Sequence, residues 1–353
     1  MKLHQTRRPS VPSRLSALHH DGHEVSRQAE GAKNLWVTNS HRWKLTIGTY
    51  NVRSLLTDDR LMELNYELEN INWDVVGISE VRRKGSELTT LRNGNLFYHI
   101  GNENSQGGVG FLINKTLAGN VLEFKGISGR ICLVTIKLNK KCQVNIIQVY
   151  APTSSYNDED VENFYNEIST AIENCKGNNT FVIGEFNAKV GQKEPGETVL
   201  GRFGLGERNR RGQMTIEFAF RNRLKIMNTF FQKPPQRKWT WKGPNGTVKN
   251  EIDYIMASRP DIVQDVKVIT RTNVGSDHRL VAAKIKIDTY RERRKMVKQK
   301  KCINRSTLLE RSTNFKLQLS NRFETLAYDS DINNHSNNIV KTIESASKAV
   351  AGS

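Results

Sequence analysis

A small set of polar side chains stands at the ends of apolar runs, and their types suit phosphoryl chemistry. Asn51 follows Lys44-Leu-Thr-Ile-Gly-Thr-Tyr50. Glu80 follows Asp74-Val-Val-Gly-Ile-Ser79, and Tyr150 follows Val144-Asn-Ile-Ile-Gln-Val149. Glu185 and Asn187 follow the run Phe181-Val-Ile-Gly184, and Asp277-His278 precedes the apolar segment that begins at Leu280. Hydrolysing a phosphodiester needs a divalent cation on the phosphate oxygens, a water in line, and help for the leaving oxygen. Asn51 and Glu80 offer the hard oxygen ligands that suit Mg2+, with Mn2+ as an alternative. Asn187 lies two residues beyond Glu185 and shares its side of an extended segment, where a water and a phosphate could be held. His278 can donate to a phosphate oxygen if a carboxylate orients its other nitrogen, and Asp253 is the obvious partner. Asp277 offers a second ligand for metal or water. Each residue alone also has a structural reading: Asn51 as a strand cap, Glu80 as a surface carboxylate, Tyr150 as core, His278 as a turn residue. The specificity lies in the ordered set.

The elements that must position these groups are short. The segments 44–50, 74–79, 109–113, 131–136, 144–149, 181–184, 252–256 and 280–287 read as strands. Leu61, Leu64 and Leu68 lie at helical spacing behind Asp58 or Asp59 as cap. Residues 158–175 form an amphipathic helix with an acidic first turn and a stripe of Val161, Phe164, Ile168 and Ile172. A further helix is expected around 213–223, with Met214 and Phe218 inward. Pro244-Asn-Gly246 signals a hairpin turn. Trp239 and Trp241 alternate and share a face, which reads as core packing ahead of base stacking. Gly107-Gly-Val-Gly110 precedes a strand, so it reads as a tight loop and not as a nucleotide cradle. Many strands with polar groups at their ends imply two packed sheets flanked by helices. Residues 1–43 read as a disordered basic tail, 44–288 as the folded domain, and 289–353 as a basic linker with a weakly helical tail.

Among 353 residues, 54 are Lys or Arg against 36 Asp or Glu, a formal charge of +18. Such a balance favours polyanions, nucleic acid before an acidic membrane face. The four cysteines show no C-x-x-C pair or zinc spacing, and Cys132 sits in an apolar run. A reducing, intracellular setting follows. No run approaches the ~18 apolar residues of a membrane span, and no secretory leader is visible. His19, His20 and His23 read as part of a solvated tail. His99, beside Tyr98 and Ile100, reads as structural.

The ordered set resembles the endonuclease/exonuclease/phosphatase family, which includes DNase I and the apurinic endonucleases. Six blocks carry the resemblance: Gly48-Thr-Tyr-Asn-Val-Arg-Ser54, Val76-Gly-Ile-Ser-Glu-Val-Arg82, Gln148-Val-Tyr-Ala-Pro-Thr153, Ile183-Gly-Glu-Phe-Asn-Ala188, Asn250-Glu-Ile-Asp-Tyr-Ile255 and Gly275-Ser-Asp-His278. Within that family the chain resembles most the endonucleases of RTE-type non-LTR retrotransposons and the related craniofacial development protein 2 group. Asn228-Thr-Phe-Phe-Gln232, Thr240-Trp-Lys-Gly-Pro-Asn-Gly246 and Asn314-Phe-Lys-Leu-Gln-Leu-Ser-Asn-Arg-Phe323 carry this closer likeness. No reverse-transcriptase motif is visible, so the chain looks like a detached endonuclease portion or an exapted derivative. The resemblance implies a DNase I-like four-layer α/β sandwich. It places Asn51 and Glu80 at metal and phosphate positions, and Tyr150 at the scissile phosphate. Asn187 falls on the amide that holds water or phosphate, Asp253 on the carboxylate that orients the histidine, and Asp277-His278 on the terminal pair. The family has Asp where this chain has Glu185, at the water-activating position. The added methylene, roughly 1.5 Å, implies reduced turnover or none, since a shift of about 1 Å can cost ~10²-fold in rate.

Double-stranded DNA, gripped through its phosphates, is the expected partner. Arg53, Arg82, Arg83, Lys84, Arg208, Arg210 and Arg211 lie in loops beside the motifs and are the candidate contacts. The basic run 291–301 reads as a nuclear import signal or a solvated linker. Three functions compete: a Mg2+-dependent endonuclease leaving a 3′ hydroxyl, a silent nucleic-acid-binding or interaction module, and a phosphatase acting on RNA or phosphoinositides.

Overall fold

Alternating and continuous apolar runs require that strands bury both faces, and they do so in two sheets. The computed structural model describes residues 42–272, 274–289, 305–326 and 331–351. The expected tail, its three histidines and the basic run 291–301 fall outside them, except for residues 42 and 43. The strands are β1 (Arg42–Asn51), β2 (Val75–Ser79), β3 (Gly85–Thr90), β4 (Leu96–Gly101), β5 (Val109–Ile113), β6 (Val121–Ser128), β7 (Ile131–Asn139) and β8 (Cys142–Tyr150). They continue as β9 (Thr180–Glu185), β10 (Lys225–Ile226), β11 (Trp241–Lys242), β12 (Lys249–Asn250), β13 (Asp253–Ala257), β14 (Val263–Ile269) and β15 (Leu280–Asp288). The helices are α1 (Asp58–Glu69), α2 (Lys115–Ala118), α3 (Asp158–Asn174), α4 (Arg210–Arg221), α5 (Arg305–Glu310), α6 (Ser312–Glu324) and α7 (Ile332–Ala351).

One sheet runs β14-β15-β1-β2-β5-β4-β3 and the other β10-β13-β9-β8-β7-β6. Each holds one parallel pair, β1 with β2 and β8 with β9, among antiparallel neighbours. Strand alternation then separates three cores. Ile47, Val75, Phe111, Val134, Ile146 and Ile183 meet between the sheets. Val76, Ile78 and Leu112 turn the other way, onto Leu61, Leu64 and Leu68 of α1. Val182, Ile147 and Met256 face Val161, Phe164 and Ile168 of α3 and Phe218 of α4. The result is helix, sheet, sheet, helix: the four-layer α/β sandwich. Helices α5 to α7 contact one another, and Arg322 Nη1 of α6 donates to Ser345 Oγ of α7 at 2.6 Å.

Several local expectations need correction. Thr57 caps α1, its Oγ1 accepting from Arg60 N, while Asp58 and Asp59 form the acidic first turn. Helix α4 starts at Arg210, because Asn209 Oδ1 accepts from Gly212 N at 2.8 Å. Strands β3, β4, β6 and β14 had no sequence signal of their own. The two tryptophans are only half-buried, and Thr240 between them takes the inward position at 0% exposure.

The sheets approach closely where Gly77 of β2 meets Gln148 of β8. Thr49 Oγ1 donates to Gln148 Oε1 at 3.1 Å, and Gln148 Nε2 donates to Ser79 Oγ at 2.9 Å. All three side chains are fully buried, so these bonds satisfy groups that water cannot reach. A Cβ at Gly77 would stand 1.9 Å from Gln148 Oε1. Gly77→Ala should therefore lower the unfolding free energy by roughly 1–3 kcal/mol, as overpacked core positions do. Urea titration of the two proteins checks this; an unchanged midpoint contradicts it.

Candidate active site

The strand register brings the candidate residues into one row. Tyr150 pairs with Glu185 across β8 and β9, and Glu185 pairs with Asp253 across β9 and β13. In the other sheet Asn51 pairs with Ser79, which places Glu80 just beyond the end of β2. His278 lies two residues before β15, the antiparallel partner of β1. The site therefore collects the C-terminal ends of both parallel pairs and the adjoining starts of two antiparallel strands.

Asn51 joins the two halves. Its Nδ2 donates to Glu80 Oε1 at 2.9 Å and to Glu185 Oε2 at 2.5 Å, while its Oδ1 accepts from Arg53 N at 2.8 Å. Its amide nitrogen, not its oxygen, thus faces the carboxylates. Tyr150 OH lies 3.4 Å from Glu80 Oε1. His278 Nδ1 is 3.0 Å from Asp253 Oδ2, and Nε2 is 3.8 Å from Glu185 Oε2. Asp253 cannot donate from an ionised carboxylate, so Nδ1 carries the proton. Ser276 Oγ donates to Asn51 O at 2.7 Å and accepts from His278 N at 3.0 Å, fixing the turn that carries the histidine. Asn187 Nδ2 donates to Ala151 O at 2.9 Å. Asp277 Oδ2 accepts from Trp241 Nε1 at 3.0 Å, and its Oδ1 lies 3.6 Å from Arg53 Nε.

Arg53, Glu80, Tyr150, Glu185, Asn187, Asp277 and His278 line a cleft of about 380 Å³ that also touches Arg82, Thr153, Lys189, Asn209, Trp241 and Asn250, while Asn51 and Asp253 are fully buried and do not line it. Sequence reasoning gave no role to Thr153, Lys189, Asn209 and Asn250, although Thr153 and Asn250 lie within the matching blocks and Lys189 directly follows one, and it read Trp241 as core. Arg53, Glu80, Arg82 and Asn187 hold positive φ angles of 61°, 57°, 57° and 48°. Left-handed backbone costs a non-glycine residue about 1 kcal/mol or more, and such strain gathers at functional sites. The basic candidates divide. Arg53 and Arg82 line the cleft, Arg82 Nη2 bonding Glu80 Oε2 at 2.6 Å. Arg83 is spent on Leu55 O and Asp58, Arg208 on Glu197 and Glu194, and Arg211 on Asp158 and Tyr156 O. Arg210 is exposed and paired with Asp158, and Lys84 is exposed; neither lines the cleft.

Burial pushes Glu185 up to about 8; the His278 charge opposes the rise, while the Asp253 and Glu80 carboxylates add to it. Burial pulls His278 down, but the charge and hydrogen bond of Asp253, with Glu185 and Asp277 behind, carry it up to about 9. Glu185 is therefore largely protonated at neutral pH and gains its charge only as pH rises through about 8. The ligand atoms of Glu185, Asp253 and His278 lie within 4.8 Å of one another. Asp253 and His278 already satisfy each other there, whereas Glu80 and Asp277 face the open cleft. Asp277 Oδ1 has no hydrogen-bond partner. Carboxylate oxygens of this kind fit a hard divalent cation.

Residues 48–278 match the endonuclease/exonuclease/phosphatase family. The chain belongs to that family. Over 247 residues, 68% of the chain, it is 37% identical to craniofacial development protein 2 of Bos taurus and 36% identical to that of Tragulus javanicus. The matched part spans 41% and 42% of those relatives. The fold is similar to the Neisseria 3′ phosphatase NExo bound to a product DNA hairpin, with a TM-score of 0.52 at 17% identity, covering 68% of this chain and 99% of that one. It is also similar to an AP endonuclease from Leishmania major, with a TM-score of 0.51 at 14% identity, covering 69% and 87%. The family is one of nucleases and phosphatases, which makes the chain a member of a family of phosphate-ester hydrolases.

Glu185 offers a direct check. Its side-chain carboxyl carbon, followed by NMR, should titrate well above the usual carboxylate range, toward about 8. Titration near 4.5 would contradict the buried, crowded environment described.

Proposed function

We propose that the protein is a divalent-metal-dependent endonuclease that nicks double-stranded DNA and leaves a 3′ hydroxyl. The observation that carries the reading is the meeting of two halves. Glu80 and His278, carried by one sheet, meet Tyr150, Glu185, Asn187 and Asp253 from around the other. Glu80 and Asp277, which both line the cleft, would hold Mg2+ or Mn2+, while the Asn51 amide, whose nitrogen faces the carboxylates, would keep Glu80 in place instead of ligating the cation. When bound, the cation supplies charge neutralisation at the phosphate oxygens. The chain's own groups do the rest. Tyr150 and Asn187 orient the phosphate and the attacking water. Glu185 takes a proton from that water as its oxygen bonds to phosphorus, the bond from phosphorus to the 3′ oxygen breaks, and that oxygen takes a proton from solvent to become the 3′ hydroxyl. The His278 imidazolium, held by Asp253, faces the charge that develops on the phosphate. Arg53, Arg82 and Lys189 hold flanking phosphates without reading bases. The net charge of +18 and the likeness to retrotransposon endonucleases favour DNA over a small phosphate ester. A nuclear location fits the same reading.

Glu185 sets the rate. Its carboxyl reaches Asn51 and lies between Asn51 and His278, and only its ionised fraction can take the water proton. Supercoiled plasmid with Mg2+ should be nicked slowly by the wild type, faster as pH rises from 7 to about 8.5. Glu185→Asp should raise the rate at pH 7 by about ten- to a hundredfold, and His278→Ala should abolish nicking. A wild type that binds DNA without nicking, rescued by Glu185→Asp, would instead support a silent binding module. No nicking by either protein sinks the enzyme reading for this chain.

A further inference from the structure

Behind Asp253 lies a charge pair that the proposed reaction does not use. Lys238 and Glu251 have side chains only 6% and 3% exposed, and Lys238 Nζ stands 3.6 Å from Glu251 Oε2. Burying two charges is costly, and it persists where the pair fixes a geometry. Lys238 Nζ also donates to Asn228 O at 3.2 Å and to Phe203 O. Asn228 Nδ2 in turn donates to Glu251 Oε1 at 3.3 Å and to Asp253 O at 3.0 Å, and its Oδ1 accepts from Ile255 N at 2.9 Å. Thr240 Oγ1, two residues beyond Lys238, accepts from Ile252 N and Asp253 N at 3.0 and 3.2 Å. Tyr254 OH donates to Glu251 O at 2.5 Å.

The main chain on both sides of Asp253 is therefore gripped by one connected set. The carboxylate of Asp253 is not. Its Oδ2 meets His278, and its buried Oδ1 has no partner. Nothing but the placement of its own backbone aims that carboxylate at the imidazole. We propose that Lys238 and Glu251 act as a positioning pair that, through Asn228, holds the Asp253 main chain so that its carboxylate meets His278 Nδ1. The role takes its functional meaning from the phosphodiesterase reading, but its geometry does not depend on it. Removing one partner leaves the other charge buried and unpaired beside Asp253. Removing both with Met and Gln keeps the volume and keeps an acceptor for Asn228.

The test uses the whole chain and two readouts. The first is the far-downfield proton NMR signal of the His278 Nδ1–H held by a carboxylate, at fixed pH. The second is the kcat and KM for plasmid nicking. Lys238→Met and Glu251→Gln should each shift or broaden the signal and lower kcat about tenfold or more, with KM changed less than about twofold. The double variant leaves no lone buried charge but lacks the Lys238 bonds to Asn228 O and Phe203 O, so it should keep the altered signal and the lowered kcat. Circular dichroism confirms folding; if Lys238→Met does not fold, Glu251→Gln and the double variant decide. An unshifted signal in a folded single variant overturns the proposal, as does a folded double variant with the wild-type signal and kcat. If the wild type nicks nothing, the NMR result still decides this point, and only the proposed function falls.

Discussion

The structure depends on the hydrogen-bonded contact that joins its two sheets beneath the site. Thr49, Ser79 and Gln148 are buried polar side chains from three central strands, and each satisfies another. Gly77 lets the sheets close to that distance. These residues lie one or two positions below Asn51, Glu80 and Tyr150, so the contact fixes how far apart the two halves of the cleft stand. Glu80 and His278 from one sheet and Glu185 and Asp253 from the other can face a single phosphate only if this spacing holds. Apolar packing alone is non-directional and would not set it.

The same closeness creates the electrostatic problem of the site. Glu80, Glu185 and Asp253 crowd together, and Glu185 and Asp253 have lost their water. Three arrangements offset the repulsion: the Asn51 amide between Glu80 and Glu185, the Arg82 guanidinium on Glu80, and the His278 imidazolium between Asp253 and Glu185. Glu185 is the residue least provided for. Its longer side chain brings it against Asn51, and burial raises its proton affinity. A functional site held this way combines strain with unmet charge, which is how stability is exchanged for chemistry.

Much of this was legible in the sequence, for identifiable reasons. Strands β1, β2, β8 and β9 are apolar runs that stop at a polar residue, so their ends could be located, and parallel pairing brought those ends together. Helices α1 and α3 declared themselves by leucine and aliphatic stripes. Strand β3, Gly-Ser-Glu-Leu-Thr-Thr, is exposed at every position and owes its form to pairing with β4, so no periodicity could show it. The tryptophans are half-buried and not core as the sequence suggested, since a period of two does not say which face turns inward. Thr240 faces in, while Trp239 lies beneath the Arg279 guanidinium, 3.0 Å from its ring centre, and Trp241 bonds Asp277. Arg83, Arg208 and Arg211 sit beside motifs in sequence yet bend inward to carboxylates and carbonyls, a choice made by tertiary neighbours. The orientation of the Asn51 amide, and the buried network behind Asp253, likewise follow from residues far apart in the chain.

The central claim is a division of labour across the cleft, with Glu80 facing a divalent cation and Glu185, Asp253 and His278 handling the proton and the phosphate charge. Anomalous diffraction from crystals soaked in Mn2+ tests it most directly. The account predicts one manganese peak in the cleft, contacting the Glu80 carboxylate, with the Asp253–His278 hydrogen bond intact. A peak seated among Glu185, Asp253 and His278, or no bound manganese at all, would contradict it.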